Sequence, residues 1–302
     1  MSAPRVSVVI ATWRRPDRIA RAVETALAQT IRDIEVIVAV ERDDPQTLAA
    51  LAAIGDPRVR HVVNTEKRGP GVARDTGARA ALAEWVAFLD DDDDWLPAKL
   101  EKQLAAADGR GDVIVMTQSR VLWPGGSFVR PVAPYDPTQP IDEWLFDRRS
   151  WFGGGDAMLQ TSSLMMPRRL FDTLGFGTAQ HEEWELAIRA VKQHGYRLVT
   201  VAEPLVNYVA GNRYPWAGSV RWAEAMRDVA SARALSGFLL TVVPQGIRSP
   251  GRTRAFLSLL RAARRDGRPT PKQLFAWALI WAVPHGARYR LRAALGRLRG
   301  RR

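Results

Sequence analysis

The 302 residues include no cysteine. Disulfides, thiolate-held metals and cysteine nucleophiles are therefore excluded, and the composition fits a reducing compartment. Long apolar runs are also missing. The longest, Leu274 to Val283, has ten residues, about half of the ~20 that span a bilayer. Near the start, Val6 to Ala11 is too short for the apolar segment of a signal peptide and runs straight into Arg14 and Arg15. Neither a membrane span nor a leader is expected. Nothing repeats at a fixed period, which argues against a solenoid.

Acidic residues are scarce in one region only. Residues 243–302 hold 15 Lys and Arg against a single acid, Asp266, while residues 1–242 hold 29 basic and 31 acidic groups. The formal net charge of +12 thus belongs to the tail, and the body is almost neutral. A nucleic-acid enzyme would more often carry positive charge around its main cleft, so nucleic acid is not expected as a partner. Apolar content of 46% and charged content of 25% are ordinary for a folded protein. The length suits one large α/β domain with an appendage, or two modest domains.

The first hundred residues alternate short apolar runs with helical periodicity. Val6 to Ala11 reads as a buried strand, followed by a helix from Pro16 to Gln29 with Ile19, Ala22, Val23, Ala26 and Leu27 on one face. Further strands are expected at Ile34 to Val40, Val59 to Val63 and Trp85 to Leu89, with helices at Pro45 to Ile54 and Pro70 to Leu82. Apolar strands without strict alternation, separated by helices, predict a parallel sheet covered on both faces. The second half is less regular. Strands are expected at Asp112 to Gln118, Ser162 to Met166 and Arg197 to Ala202, and helices near Arg168 and from Glu182 to His194. Residues 123–156 are rich in Pro, Gly and Trp, as in a segment lining a cleft. Within them, Gly153-Gly154-Gly155-Asp156 would allow close backbone approach to a ligand or form a flexible loop.

Five consecutive aspartates, Asp90 to Asp94, directly follow the run Trp85 to Leu89. So much negative charge at the end of a strand costs free energy unless cations or hydrogen-bond donors offset it. One reading is an acidic surface turn. The other is a divalent-metal site at the carboxyl end of a parallel sheet, where open α/β folds bind ligands.

The order and spacing of several motifs carry a resemblance. They are Val6 to Pro16, ending Ala-Thr-Trp-Arg-Arg-Pro; Ala26 to Thr30 ahead of Glu35 to Val38; Ala73-Arg74-Asp75-Thr76-Gly77; Phe88 to Pro97; and His181 to Leu186. Together they resemble the family 2 glycosyltransferases over residues 5 to 210. The resemblance implies a GT-A fold: α/β, with a Rossmann-like, mostly parallel central sheet, helices on both faces, and here a basic helical extension. It implies a domain over residues 1–215, with a nucleotide-binding half (1–110) and an acceptor-side half (111–215); residues 216–302 read, from their own pattern, as a helical, basic, membrane-associating region. The implied substrate is a nucleoside-diphosphate-sugar, and the implied cofactor Mn²⁺ or Mg²⁺. In the family's Asp-X-Asp motif the first acid lies near the ribose and the last reaches the metal. Mapped here, Asp90 and Asp91 lie beside the nucleotide and Asp92 is the metal ligand, with Asp91 and Asp93 as the ligands if the register slips by one. Ala11, Thr12 and Trp13 match the loop that cradles base and ribose. Glu41 stands where the family places an aspartate for the base, with Asp43 as the alternative, and Arg74 matches an arginine near base or phosphates. The second acid of the family's pair before Trp falls on Glu183, the general base, with Glu182 as alternate. At a helix start, the dipole is expected to keep that base ionised. Base-assisted direct displacement would invert the anomeric centre.

In the tail, Leu274 to Trp281 is apolar with two tryptophans, and Arg288 to Arg302 sets Leu291, Leu295 and Leu298 among arginines. Such a pattern suits an interfacial helix on anionic lipid, or a helix packed on the enzyme body. The expected setting is cytoplasmic, peripheral on the inner face of the membrane, with a glycan or lipid-linked acceptor. Rival readings are a catalytically silent nucleotide-binding relative and a nucleotidyltransferase.

Overall fold

The computed structural model describes residues 3–42, 44–65, 69–148, 151, 155–177, 180–209, 215–247, 252–283 and 287. The strands are β1 (Val6–Thr12), β2 (Ile34–Glu41), β3 (Val59–Asn64), β4 (Trp85–Asp90), β5 (Asp94–Trp95), β6 (Val113–Trp123), β7 (Gly126–Arg130), β8 (Leu164–Pro167) and β9 (Arg197–Val209). The helices are α1 (Pro16–Leu27), α2 (Pro45–Ala52), α3 (Pro70–Arg79), α4 (Lys99–Ala107), α5 (Ile141–Phe146), α6 (Glu182–Gln193), α7 (Trp216–Ala225), α8 (Ala232–Gly237), α9 (Arg252–Asp266) and α10 (Pro271–Ala282). They form two compact units, Met1–Val121 with Leu159–Val209, and Leu122–Met158 with Ala210–Arg302. Residues 122–158, read from sequence as part of the acceptor-side half, thus group with the C-terminal segment.

In the first unit the sheet runs β3-β2-β1-β4-β8-β6-β9-β5. β1 lies parallel to β2 (Val8 opposite Val36) and to β4 (Ala11 opposite Asp90), and β2 parallel to β3. Side chains alternate across a strand. Val6, Val8 and Ile10 therefore join Ile19, Ala22, Val23 and Ala26 of α1 in one core, while Val9 faces α3. A Cβ on Gly77 of α3 would come 2.4 Å from Val9 Cγ1, so only glycine lets that helix lie so close. Helices thus cover both faces.

The parallel order expected from the apolar runs stops at β4. β8 is antiparallel to β4 and to β6, and β5 is antiparallel to β9. β9 has 13 residues rather than six. The strand expected from Ser162 opens as a 3₁₀ turn, Thr161–Ser163, before β8, and the helix near Arg168 is a 3₁₀ turn, Arg168–Asp172.

Lys99 and Gln103 on α4 are both buried. Lys99 Nζ donates to Gln103 Oε1 at 2.7 Å and lies 3.9 Å from the Trp95 ring centroid. Gln103 Nε2 donates to Val115 O and Ser163 O, both at 2.9 Å. Burial lowers the Lys99 pKa well below its usual value.

The second unit contains short elements where Pro, Gly and Trp had masked any periodicity. Ile141, Leu145 and Phe146 are the buried face of α5. Phe146, Trp222 and Phe238 pack their rings at steep angles, with centroids 4.7–6.0 Å apart. α10 begins with a capping box, Thr270 with Gln273, and buried Gln273 also donates to Asp147 Oδ1 at 2.9 Å and Arg233 O at 3.1 Å. Among the described residues no helix is long and apolar enough to cross a membrane. Gly153, Gly154 and the stretch Arg288 to Arg302 lie outside the described residues.

Candidate active site

The apolar run of β4 ends at Asp90, the next three aspartates form the loop, and Asp94 opens β5. Each one is held differently. Asp90 Oδ1 accepts from Arg74 Nη2 at 2.6 Å. Asp91 is buried, accepting from Thr12 Oγ1 at 2.8 Å and Arg15 Nη1 at 2.7 Å on its two oxygens. Among the described residues, Asp92 accepts only on Oδ2, from Arg15 Nη1 at 3.3 Å and Arg18 Nη1 at 3.2 Å. Asp93 is buried, taking Ser162 Oγ at 2.6 Å and Gln160 Nε2 at 3.0 Å on one oxygen and Val209 N at 3.0 Å on the other. Asp94 makes a two-pronged pair with Arg21 at 2.7 and 2.6 Å.

A simple pattern emerges. Asp91, Asp93 and Asp94 have both carboxylate oxygens engaged by protein donors. Among the described residues, Asp90 Oδ2 and Asp92 Oδ1 have no such donor. The two acids with an oxygen to spare are separated by one residue. Burial, reinforced by the charges of Asp90 and Asp91, raises the pKa of Asp92, and burial with the Asp90 charge raises that of Asp93 further.

Of the other residues singled out from sequence, Thr12 holds Asp91, and Ala11 pairs with Asp90 across β1 and β4. Trp13 is 51% exposed, with the Arg14 guanidinium 5.2 Å from its ring centroid. Glu41, at the end of β2, is buried and accepts from Gly69 N at the start of α3. Asp43 lies outside the described residues. Asp44 caps α2 through Thr47 and also accepts from Arg14 N at 2.5 Å, which fixes the backbone of the loop after β1.

Arg74 is buried, and its two terminal nitrogens reach different elements: Asp90 at the end of β4, and Glu182 Oε1 at 2.7 Å on the first turn of α6. Burial opposes its charge, but the Asp90 and Glu182 carboxylates outweigh that and raise its pKa. The neighbouring Asp75 accepts from Phe176 N at 2.8 Å and Gly177 N at 3.0 Å. Adjacent residues of one helix thus hold both the segment leading to α6 and α6 itself.

Glu183 follows on that first turn. The helix dipole was expected to hold it ionised. Instead, burial and then the neighbouring Glu182 charge push its carboxyl up to about 8, because a helix terminus contributes less than desolvation beside a like charge. His181, in a left-handed conformation with φ 63°, stacks on Trp184 at 4.8 Å. Burial lowers its pKa to about 4, so it is neutral at pH 7.

Sequence reading passed over Arg15, Arg18 and Arg21. Their signal was present: arginines three apart at the start of α1 share a helix face, and that face meets the aspartate loop. Ser162 and Gln160 had no such signal.

Among the described residues, no cluster of three or more His, Asp or Glu forms a ready-made metal cage. The donor set fits a divalent ion held mainly by a ligand. Asp92 offers a carboxylate oxygen, and a guanidinium nitrogen of Arg15 already bridges Asp91 and Asp92 as a cation would. Hard divalent ions bound with diphosphates need few protein carboxylates, because phosphate oxygens complete the shell.

The model of glycosyl transferase family 2 matches residues 7–174, more than half of the chain. Succinoglycan biosynthesis protein ExoO of Rhizobium meliloti is 39% identical over 127 residues, 42% of this chain and 36% of that protein. Amylovoran biosynthesis glycosyltransferase AmsB of Erwinia amylovora is 26% identical over 276 residues, 84% of this chain and 89% of that protein. The Escherichia coli UDP-Glc:alpha-D-GlcNAc-diphosphoundecaprenol beta-1,3-glucosyltransferase WfaP is 33% identical over 99 residues, 33% of this chain and 39% of that protein. The chain therefore spans little more than a third of ExoO and WfaP, and most of AmsB. Among solved structures, the mannosyltransferase PcManGT from Pyrobaculum calidifontis, in complex with GDP-Man and Mn²⁺, superposes with a TM-score of 0.55 at 19% identity, covering 98% of this chain and 81% of that one. The motif order, the α/β architecture and the family match converge: the chain belongs to glycosyl transferase family 2, and its fold is GT-A.

Proposed function

We propose that the protein is a metal-dependent, inverting glycosyltransferase that moves a sugar from a nucleoside-diphosphate-sugar to a glycan or lipid-linked acceptor in cell-envelope polysaccharide synthesis. One observation carries the reading. In a run of five aspartates, the two with an oxygen free of donors among the described residues, Asp90 and Asp92, alternate as an Asp-X-Asp pair requires. The relatives support the setting: ExoO and AmsB are named for polysaccharide biosynthesis, and WfaP for a diphosphoundecaprenol acceptor.

Asp92 Oδ1 would hold Mn²⁺ or Mg²⁺, which when bound neutralises the diphosphate and stabilises its departure. Asp90 Oδ2 is available to a ribose hydroxyl. Asp91, locked by Thr12 and Arg15, keeps the loop in register beside the nucleotide. Ala11, Thr12 and Trp13 line the donor side, with the exposed Trp13 ring offering a face to the base. Glu41 and the backbone it holds at Gly69 bound that side. Glu183 takes the proton from the acceptor hydroxyl as it attacks the anomeric carbon, on the face opposite the leaving diphosphate. Arg74 holds Asp90 and Glu182 in a fixed relation, so donor end and base end are positioned together.

The test is a panel of nucleotide sugars with Mn²⁺ or Mg²⁺, scored for release of nucleoside diphosphate. Release from one donor is expected, and Asp92→Asn should reduce it by roughly two to three orders of magnitude, the scale of removing one transition-state charge stabiliser. Pyrophosphate release instead would identify a nucleotidyltransferase. No release from any donor would favour a silent nucleotide binder.

The second unit supports a seat at the inner face of an anionic membrane. On α10 the exposed residues include Phe275, Leu279 and Trp281, the last 46% exposed. On α9 the exposed residues include Arg254, Leu257, Arg261 and Arg264. Exposed apolar side chains on one helix and exposed cations on the other suit a bilayer of anionic headgroups over acyl chains. Vesicles rich in phosphatidylglycerol should sediment the protein and pure phosphatidylcholine should not, with Leu279→Ser/Trp281→Ser weakening the association. Equal sedimentation with both lipids would remove the anionic surface from the reading.

A further inference from the structure

Arg15, Arg18 and Arg21 extend from the start of α1 across to the aspartate loop, yet they perform different tasks. Arg21 takes both oxygens of Asp94. Arg15 divides one nitrogen between Asp91 Oδ1 and Asp92 Oδ2, and Arg18 adds a second bond to that same Asp92 oxygen. The Arg15 and Arg18 side chains are 48% and 55% exposed, that of Asp92 24%. Solvent-exposed pairs of this kind are weak and exchangeable. Both bonds on Asp92 are also longer than the 2.6–2.7 Å of Arg21 on Asp94.

We infer that Arg15 and Arg18 are positioning residues that clasp Asp92 by one oxygen while the donor is absent, compete with the divalent cation for it, and let go of Asp92 toward the diphosphate as the cation arrives, Arg15 keeping its bond to Asp91. The clasp follows from charge. Asp90, Asp91 and Asp92 stand side by side, and two guanidinium groups reduce their mutual repulsion without occupying Oδ1. A divalent cation approaching Oδ1 then meets two positive groups a few ångströms away, and its binding is weaker for it. Once the cation neutralises Asp92, the guanidinium forks face the phosphate oxygens that arrive with it, a pairing arginine makes in two-pronged form. This inference rests on Asp92 being the metal ligand.

Mn²⁺ affinity, read by the electron paramagnetic resonance signal of free Mn²⁺ with no nucleotide present, separates the two ideas. Arg18→Ala should tighten Mn²⁺ binding by about tenfold, the scale of removing one positive charge near a dication at a water-exposed site. Arg21→Ala removes the same charge from the same helix face without touching Asp92, and should leave the affinity within about twofold. Arg18 lies on the exposed side of α1, and unchanged circular dichroism would show that the variants fold. Unchanged or weaker Mn²⁺ binding in Arg18→Ala, with binding abolished in Asp92→Asn, overturns the clasp and leaves the metal site standing. Equal tightening in Arg18→Ala and Arg21→Ala overturns it too, since a diffuse field would then suffice. Mn²⁺ affinity in Asp92→Asn equal to the parent's, or no saturable binding by the parent and Arg18→Ala, removes the metal ligand and the clasp together.

Discussion

Glu183→Gln is expected to reduce sugar transfer by a factor on the order of 10²–10⁴, to leave donor binding intact, and to make the protein more stable above neutral pH. The activity loss follows from its role: glutamine keeps shape and burial but cannot accept the proton. The stability gain follows from burial. The Glu183 carboxyl moves from an ordinary 4.5 up to about 8 in the folded chain, driven by desolvation and then by Glu182. The fold therefore favours the neutral form. Its contribution is fully present below about pH 4.5 and is lost as pH rises through about 8. Glutamine is neutral throughout, so the two melting curves should agree near pH 4.5 and diverge by several degrees at pH 8, each kcal/mol counting for about 2–4 °C. The same pKa sets the activity profile. In the donor-free enzyme the base form appears only on deprotonation, so kcat/KM should rise with pH toward about 8. Undiminished transfer by Glu183→Gln would assign the proton to another group. Glu182 is the alternate, although its Oε1 is engaged by Arg74.

Arg74→Met should be the most destabilising of the single changes considered. It leaves Asp90 and Glu182 facing each other without the guanidinium that joins them at 2.6 and 2.7 Å. Removing one partner from a buried ion pair costs about 3–5 kcal/mol, a large share of the 5–15 kcal/mol by which domains are stable. A compensating change tests the cause. Arg74→Met/Glu182→Gln should recover part of the loss, because the second substitution removes the stranded charge. Arg74→Lys should recover little, since one ammonium cannot reproduce a fork reaching two elements. Thermal or urea melts decide. If Arg74→Met melts like the parent while the donor KM rises, the side chain serves the nucleotide directly, as the family resemblance implied.

Much of this was legible in the residues. Val6 to Ala11, Ile34 to Val40 and Trp85 to Leu89 are apolar on both faces because helices cover both, and that signature needs no partner to be read. The same reasoning placed the aspartates at a strand's carboxyl end. It could not show that β8 returns antiparallel to β4. Strand direction depends on how the intervening chain travels, and the route from β6 to β8 leaves the first unit through residues 122–158. α5 was hidden for a local reason: six residues after Pro140 are too few to establish a period. Within the aspartate run, identical residues carry no clue to which oxygen is engaged. That depended on Thr12, Arg15, Arg18, Arg21, Arg74, Gln160 and Ser162, brought together from three regions of the chain. Glu183 was found by position, but its charge state depended on packing that no spacing encodes.

The aspartate run is also a junction. Through Asp90 it fastens α3, through Asp91, Asp92 and Asp94 it fastens α1, and through Asp93 it fastens the Thr161–Ser163 turn and the end of β9. Ser162 Oγ does double duty there, accepting from Asp90 N at 2.9 Å while donating to Asp93. A screen replacing these acids one by one would register several inactive mutants of unlike origin. Those at Asp93 would be failures of assembly, and those at Asp92 failures of chemistry in an intact molecule.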